Sequence, residues 1–140
     1  MLDHYTARMA GDPLVPTEQL GEGELIDHQS TFVSDLGSTL VSLVRTQALP
    51  PESLLQDGGD IQALISERHG EQRASLGWSE QALEREYEIL MEAIESVVRS
   101  RTQERSEEEV DAALRILRRY VERSGEIALR CHRRSRSASE

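Results

Sequence analysis

The chain has 140 residues and a formal net charge of −10, and all 16 of its basic residues are arginine. This acidic balance argues against nucleic acid and against an anionic membrane surface as partners, because both bind a basic protein face. A single cysteine cannot form an internal disulfide, and no signal peptide or apolar run of about 20 residues occurs, so we expect a cytoplasmic protein without a membrane span.

The first third of the chain is weakly patterned and broken by prolines. Residues 2–10 suit a short helix, but two X-Pro pairs follow it closely, so we expect residues 1–23 to form a mobile N-terminal arm. Residues 24–46 then carry apolar side chains at the i, i+3, i+4 spacing of an amphipathic helix. A proline- and glycine-containing connection separates this helix from the next one.

Two further helices, residues 60–76 and 79–102, are predicted on either side of a sharp turn at Gly77, Trp78 and Ser79. Glycine adopts positive φ at a helix C-cap without steric cost, and serine accepts a backbone hydrogen bond as an N-cap. The only tryptophan of the chain lies between these two capping residues. We expect this turn to fix the angle at which one helix leads into the other.

The last predicted helix, residues 107–133, begins with a capping box and has a long apolar stripe. The preceding helix is shorter and cannot cover the stripe alone, since each residue advances only about 1.5 Å along a helix. Apolar residues make up only 37% of the chain, so a further covering layer is scarce. We expect Val121, Ile127 and Ala128 to be exposed in a monomer and to form a homodimer interface. Residues 135–140 are expected to be a disordered tail.

No strand pattern occurs, so the expected fold class is all-α, a helical bundle of about five helices, with residues 24–134 as the domain. Few residues suggest catalysis or metal binding. No two of the four histidines lie three or four residues apart, so no helix presents a ready ligand pair. Phosphate-binding and nucleophile motifs are absent, and Cys131 lies near a helix C-terminus, where the dipole disfavours a thiolate. We expect no enzyme activity and no metal site; the alternative left open is haem, with His69 as axial ligand.

Four polar residues fall where the two central helices are expected to face each other. His69 and Tyr87 lie on apolar faces, while Arg73 follows His69 by one turn and Glu86 precedes Tyr87. The simplest interpretation of Glu86 is a solvated helix face. A buried arginine, however, needs a carboxylate, and a buried tyrosine needs a partner for its hydroxyl. We therefore expect these four to form one polar cluster, with His28 as a further candidate; such a cluster either specifies the fold or lines a ligand pocket.

Four short motifs follow one another in this chain: E-L-I-D-H at 24–28, H-G-x-x-R at 69–73, L-G-W at 76–78 and L-x-R-E-Y-x-x-L at 83–90. Their order and spacing resemble the N-terminal sensory domain of RsbRD-type stressosome co-antagonists, which is also found in front of many bacterial sensor histidine kinases. The likeness covers residues 24 to about 130 and fades in the last helix. That family usually has Gln-Gly and an aromatic residue where this chain has Leu76-Gly77-Trp78.

The resemblance implies an all-helical sensory domain related to the non-haem, globin-like domains of stressosome proteins. Such domains usually precede a STAS domain or a histidine-kinase core, and this chain contains neither, so we expect a fragment or a stand-alone copy. The implied role is non-catalytic regulation in bacterial signal transduction. A small signal or a partner would bind, and the last helix would transmit the response. The rival hypothesis is a haem- or metal-binding helical protein.

Overall fold

Helices account for most of the structure. The computed structural model describes residues 2–16, 28–45 and 59–139, and these residues contain no β-strand. The predicted all-α bundle is confirmed, whereas the globin-like arrangement stays a prediction. Within the described ranges, no helix combines the length and the apolar character that crossing a membrane requires. The helices are α1 (Leu2–Gly11), α2 (His28–Arg45), α3 (Gly59–Ser75), α4 (Glu80–Arg101) and α5 (Glu107–Ser139).

Helix α3 packs in parallel along the second half of α5. Near its start, Gln62 donates hydrogen bonds to the Tyr120 carbonyl and to the Ser124 hydroxyl, each at 2.9 Å. Further along, Gly70 lies against the backbone of Ala128. The contacts advance in the same direction on both helices, so α3 covers one side of the distal half of α5.

Helix α4 runs antiparallel to α5. An ion pair joins Arg99 to Asp111 at one end of the helix pair, and a second joins Glu80 to Arg133 at the other end. Since α4 follows α3 through a tight turn, these three helices form the centre of the bundle. Helices α1 and α2 pack against α4 from outside this centre.

The far end of the apolar stripe on α5 is buried within one chain. Val121, Ile127 and Ala128 are 4%, 7% and 0% exposed, so the prediction that they form an exposed dimer interface is wrong. That prediction treated α4 as the only neighbour of α5, whereas α3 lies along the same half of the helix and covers it. The homodimer stays a prediction, but this apolar patch no longer supports it.

The N-terminal helix belongs to the core. Tyr5 and Met9 of α1 are buried in the main hydrophobic cluster. They lie four residues apart, so both reach the same face of a helix and dock it on the bundle. The prediction of a mobile arm is therefore wrong for residues 2–11; residues 17–23 lie outside the described part of the chain.

The C-terminal residues are helical. Helix α5 continues to Ser139, so the prediction of a disordered tail is wrong for residues 135–139. Arg136 donates a hydrogen bond to the carbonyl of Trp78 at 2.9 Å, which holds the last turns of α5 against the turn between α3 and α4. The predicted end at residue 133 rested on the end of the apolar stripe and on the arginines clustered there, whereas the helix continues past both and makes this polar contact.

Gly70→Ala is expected to destabilise the protein. A Cβ atom at Gly70 would lie 2.1 Å from the carbonyl oxygen of Ala128, and backbone yields less easily than the end of a side chain. We expect the free energy of unfolding to fall by about 1–3 kcal/mol, as in other overpacked cores, although alanine is the better helix former. Chemical denaturation measures this loss.

The control for this prediction is Gly11→Ala, because a Cβ at Gly11 would meet nothing within 4 Å. This variant should change the free energy of unfolding by less than about 1 kcal/mol. Equal stability of the two variants would contradict the close backbone packing of α3 on α5.

Candidate functional site

A buried carboxylate, Glu86, lies at the centre of the contact between α3 and α4. Its side chain is only 1% exposed. Arg73 Nε donates to both carboxylate oxygens, at 3.3 and 3.1 Å, and Arg73 Nη2 donates to Oε2 at 2.9 Å. His69 Nε2 contacts Oε1, and the Tyr5 hydroxyl donates to Oε2 at 3.1 Å. One carboxylate therefore joins α1, α3 and α4.

The structure brings together the four residues that the sequence places in one cluster. Arg73 pairs with Glu86, which is therefore a buried partner and not part of a solvated face. The rings of His69 and Tyr87 meet edge to face, with centroids 5.7 Å apart. His28 begins α2, but its side chain lies outside the described residues. Tyr5 is a member that the sequence does not predict; its spacing of four from Met9 is the signal that points to a buried face.

The turn between α3 and α4 has the predicted capping geometry. Gly77 has φ = +81°, a left-handed conformation that favours glycine. The Gly77 N–H donates to the Ala74 carbonyl and the Trp78 N–H donates to the Arg73 carbonyl, both at 3.0 Å. These two bonds are the pair that defines a Schellman motif. Ser79 is the N-cap of α4, and its hydroxyl accepts from the Ala82 N–H at 3.1 Å.

Trp78 connects the turn to the buried cluster and to the last helix. The guanidinium carbon of Arg73 lies 4.7 Å from the centroid of the Trp78 ring, so the arginine lies between an aromatic face and the Glu86 carboxylate. The Trp78 carbonyl also accepts hydrogen bonds from His132 Nε2 at 2.6 Å and from Arg136 at 2.9 Å. The position of this one residue is thereby coupled to α3, α4 and α5.

The surroundings of Glu86 keep it ionised. Burial alone would raise its pKa, but the interactions with His69 and Arg73 outweigh burial, and the pKa lies below its ordinary value of 4.5. Both carboxylate oxygens accept hydrogen bonds from the protein, so neither is left to take a proton from a substrate. We therefore interpret the cluster as a network that specifies the fold, in preference to the interior of a ligand pocket.

The described residues bear on three further kinds of site: a metal site, a haem ligand and a nucleophilic thiol. The described residues contain no group of three or more His, Cys, Asp or Glu side chains that could hold a metal ion. His69 Nε2 lies against Glu86, so that nitrogen is not presented to a haem iron. Burial raises the pKa of the Cys131 thiol, which disfavours the thiolate that a nucleophile needs.

Among the described residues, two surface pockets lie between α4 and α5. Neither is predicted from the sequence, because each needs the packing of α5 on α4. One has a volume of about 410 Å³ and lies between the middle parts of α4 and α5, with Tyr87 and Val121 in its lining. The other has a volume of about 440 Å³ and adjoins the turn, with a lining of Gly77, Ser79, Glu80, His132, Arg133, Arg136 and Ser137.

Comparison with known proteins identifies no relative: no protein-family model, no curated protein and no solved structure matches this chain. The likeness to RsbRD-type sensory domains therefore rests on the four motifs in the sequence and stays a prediction.

Glu86→Gln is expected to destabilise the protein by about 3–5 kcal/mol, because it leaves the buried Arg73 without a counter-charge. The loss should depend on pH. A carboxyl group with a depressed pKa in the folded state stabilises fully above its ordinary value of 4.5 and stops doing so as pH falls through the folded value. The stability gap between wild type and variant should therefore narrow below about pH 4.5.

Denaturant melts of Glu86→Gln across this pH range provide the measurement. Glu88→Gln is the matched control on the same helix, since Glu88 is exposed and forms a surface ion pair with Arg85. It should cost less than about 1 kcal/mol. A Glu86→Gln protein as stable as Glu88→Gln at pH 7 would remove the structural role assigned to the cluster.

Trp78→Ala is expected to cost about 3–5 kcal/mol, because it removes a buried ring and the aromatic face on which Arg73 lies. Ser79→Ala, which removes only the N-cap hydrogen bond, should cost about 1 kcal/mol. Thermal or chemical melts compare the two variants. A nearly neutral Trp78→Ala would show that the turn does not hold the two helices together.

Proposed function

We propose that this chain is a non-catalytic sensory or regulatory domain of bacterial signal transduction, with input near the turn between α3 and α4 and output through α5. One observation carries the proposal: the Trp78 carbonyl at the turn accepts hydrogen bonds from both His132 and Arg136 of α5. An event that shifts the turn must therefore break these bonds or move the end of the last helix.

The buried cluster supports this proposal by making the input region stiff. Arg73 is held by the carboxylate of Glu86 on one side and by the ring of Trp78 on the other. Bidentate arginine–carboxylate pairs fix geometry as well as charge. A displacement at the turn would pass to neighbouring helices instead of being absorbed locally, and packed elements of this kind move between discrete arrangements.

The shape of α5 supports a role in output. It has 33 residues, which at about 1.5 Å per residue gives a rod of about 50 Å. It contacts α2, α3 and α4, so it receives contacts from most of the bundle. The likeness of the motifs to domains that precede histidine-kinase cores and STAS domains supports a downstream signalling domain of one of these kinds as the output partner.

A chimera tests this proposal. The whole chain is fused at its C-terminus to the core of a histidine kinase, and autophosphorylation is measured as zero to four residues are inserted at the junction. Each inserted residue turns a helix by about 100°, so activity should rise and fall with the insertion if α5 transmits its orientation. Arg136→Ala, which cuts one bond to the turn, should change activity several-fold.

The control is Arg130→Ala, because Arg130 is exposed on the same part of α5, whereas the hydrogen bonds to the Trp78 carbonyl among the described residues come from His132 and Arg136. It should leave the activity of the chimera unchanged. The assignment of α5 as an output helix would be overturned if autophosphorylation changed neither with the number of inserted residues nor in the Arg136→Ala variant.

A further inference from the structure

An apolar groove lies along the contact between the middle parts of α4 and α5. It has a volume of about 410 Å³, and its apolar lining consists of Tyr87, Met91, Val121 and Leu129. Tyr87 and Val121 belong to the buried core, whereas Met91 and Leu129 are only partly buried against it. The lining residues recur three or four positions apart on each helix, so they form one continuous strip along the surface.

A glycine in the middle of this strip keeps the groove deep. Gly125 lines the groove between Val121 and Leu129. A Cβ atom at Gly125 would have the Tyr87 ring as its nearest neighbour, at 3.6 to 3.8 Å, which is ordinary van der Waals contact. Alanine would therefore fit the fold, and it is the better helix former. The space above Gly125 is not needed for packing within the chain and is open to an occupant.

Acidic side chains border the apolar strip on both helices. Glu84 and Glu88 of α4 and Glu122 and Glu126 of α5 are exposed, and all four line the groove. The two members of each pair are four residues apart, so they are neighbours on one helix face, about 5–6 Å apart at Cβ. Like charges at this spacing repel each other and weaken a helix slightly. Basic groups of a partner would relieve that repulsion.

The basic residues of this region neutralise only part of the acidic border. Arg118 lines one end of the groove and donates a hydrogen bond to Glu95 at 3.4 Å. Arg85 is not among the lining residues, and it pairs with Glu88 at 2.8 Å. The lining thus carries four carboxylates and one guanidinium group, so its net charge is negative.

Charge disfavours the occupants that this chain itself could supply. Residues 17–27 and 46–58, which lie outside the described ranges, contain Asp and Glu but neither Arg nor Lys. A second copy that placed its own groove on this one across a two-fold axis would bring the acidic borders together. Nucleic acid and anionic membranes are repelled for the same reason. The complementary occupant is a basic segment of another protein.

The dimensions of the groove suit a short helix. Its lining spans residues 84–91 on α4 and 118–129 on α5. At about 1.5 Å per residue, these spans are about 10 and 16 Å long, which corresponds to about two to three helical turns. Because the carboxylates border the apolar strip on both helices, a matching ligand needs several cations on both sides of an apolar stripe. A small organic cation carries too few charges to reach both sides.

We propose that this groove docks a basic amphipathic helix of a partner protein. The apolar face of that helix packs on the strip around Gly125, and its arginine or lysine side chains pair with the glutamates on either side. This docking does not rest on the signalling role proposed above. Binding is measured without any output domain, so either proposal can fail while the other stands.

Fluorescence anisotropy of labelled synthetic peptides with the purified full chain tests the proposal. One set of peptides of about 14 residues, about 21 Å as a helix, has a leucine stripe flanked by arginine, and a matched set has glutamate in place of arginine. The arginine peptides should bind saturably and more weakly as salt is added, and the glutamate peptides at least tenfold more weakly. Absence of saturable binding by the arginine peptides, or equal binding of both sets, would overturn the proposal.

A pair of matched double variants locates the binding surface. Glu122→Gln combined with Glu126→Gln should weaken binding of the arginine peptides by about tenfold, because each exposed ion pair contributes up to a few-fold. Glu67→Gln combined with Glu71→Gln removes the same charge at the same spacing from exposed positions on α3, and it should change the affinity by less than about twofold. Equal weakening by the two double variants would reduce the binding to general attraction by an acidic protein.

Gly125→Ala separates binding from folding. Its Cβ fills the groove without a clash, so the denaturation midpoint should rise while the affinity for the arginine peptides falls several-fold. Unchanged affinity in this variant would show that the peptides do not occupy the groove. Sedimentation of the chain alone completes the test, because a dimer that Gly125→Ala dissociates would assign the groove to a second copy and overturn the proposal.

Discussion

The ion pair of Arg73 and Glu86 is the interaction on which the rest of this structure depends. A carboxylate taken out of water loses several kcal/mol of hydration, and only a close, well-oriented counter-charge restores it. Here the compensation comes from three residues on two helices, because Tyr5 of α1 and His69 and Arg73 of α3 all reach one carboxylate on α4. Separation of α3 from α4 would leave a buried charge unpaired, and loss of α1 would remove the hydrogen bond from Tyr5.

The need to pair this buried charge selects one register of the helices. Apolar packing selects a register poorly in a chain with few large side chains. Aromatic residues make up only 4% of the sequence, so shape alone offers few features that distinguish one helix register from the next. A shift of α3 by one residue would turn Arg73 away from both Glu86 and the ring of Trp78. We infer that the polar cluster selects the register, while burial of the surrounding aliphatic side chains supplies most of the stability.

The sequence predicts the local parts of this arrangement well and the distant parts poorly. Gly77, Trp78 and Ser79 are adjacent, so helix capping rules foresee their geometry, and the pairing of Arg73 with Glu86 follows from the hairpin that this turn creates. The parallel packing of α3 on α5 is different, because Gly70 and Ala128 are separated by more than fifty residues and no periodicity links them. A prediction that lacks this contact leaves the far end of α5 uncovered and therefore assigns a second chain to it.

The same long-range contact explains why the turn and the last helix form one mechanical unit. Where α3 meets α5, backbone lies directly against backbone, so the two helices cannot slide past each other without opening the contact of Gly70 with Ala128. One end of α3 is therefore held by α5 and the following turn by His132. Separating the turn from α5 would therefore require opening this backbone contact and breaking the hydrogen bonds to the Trp78 carbonyl.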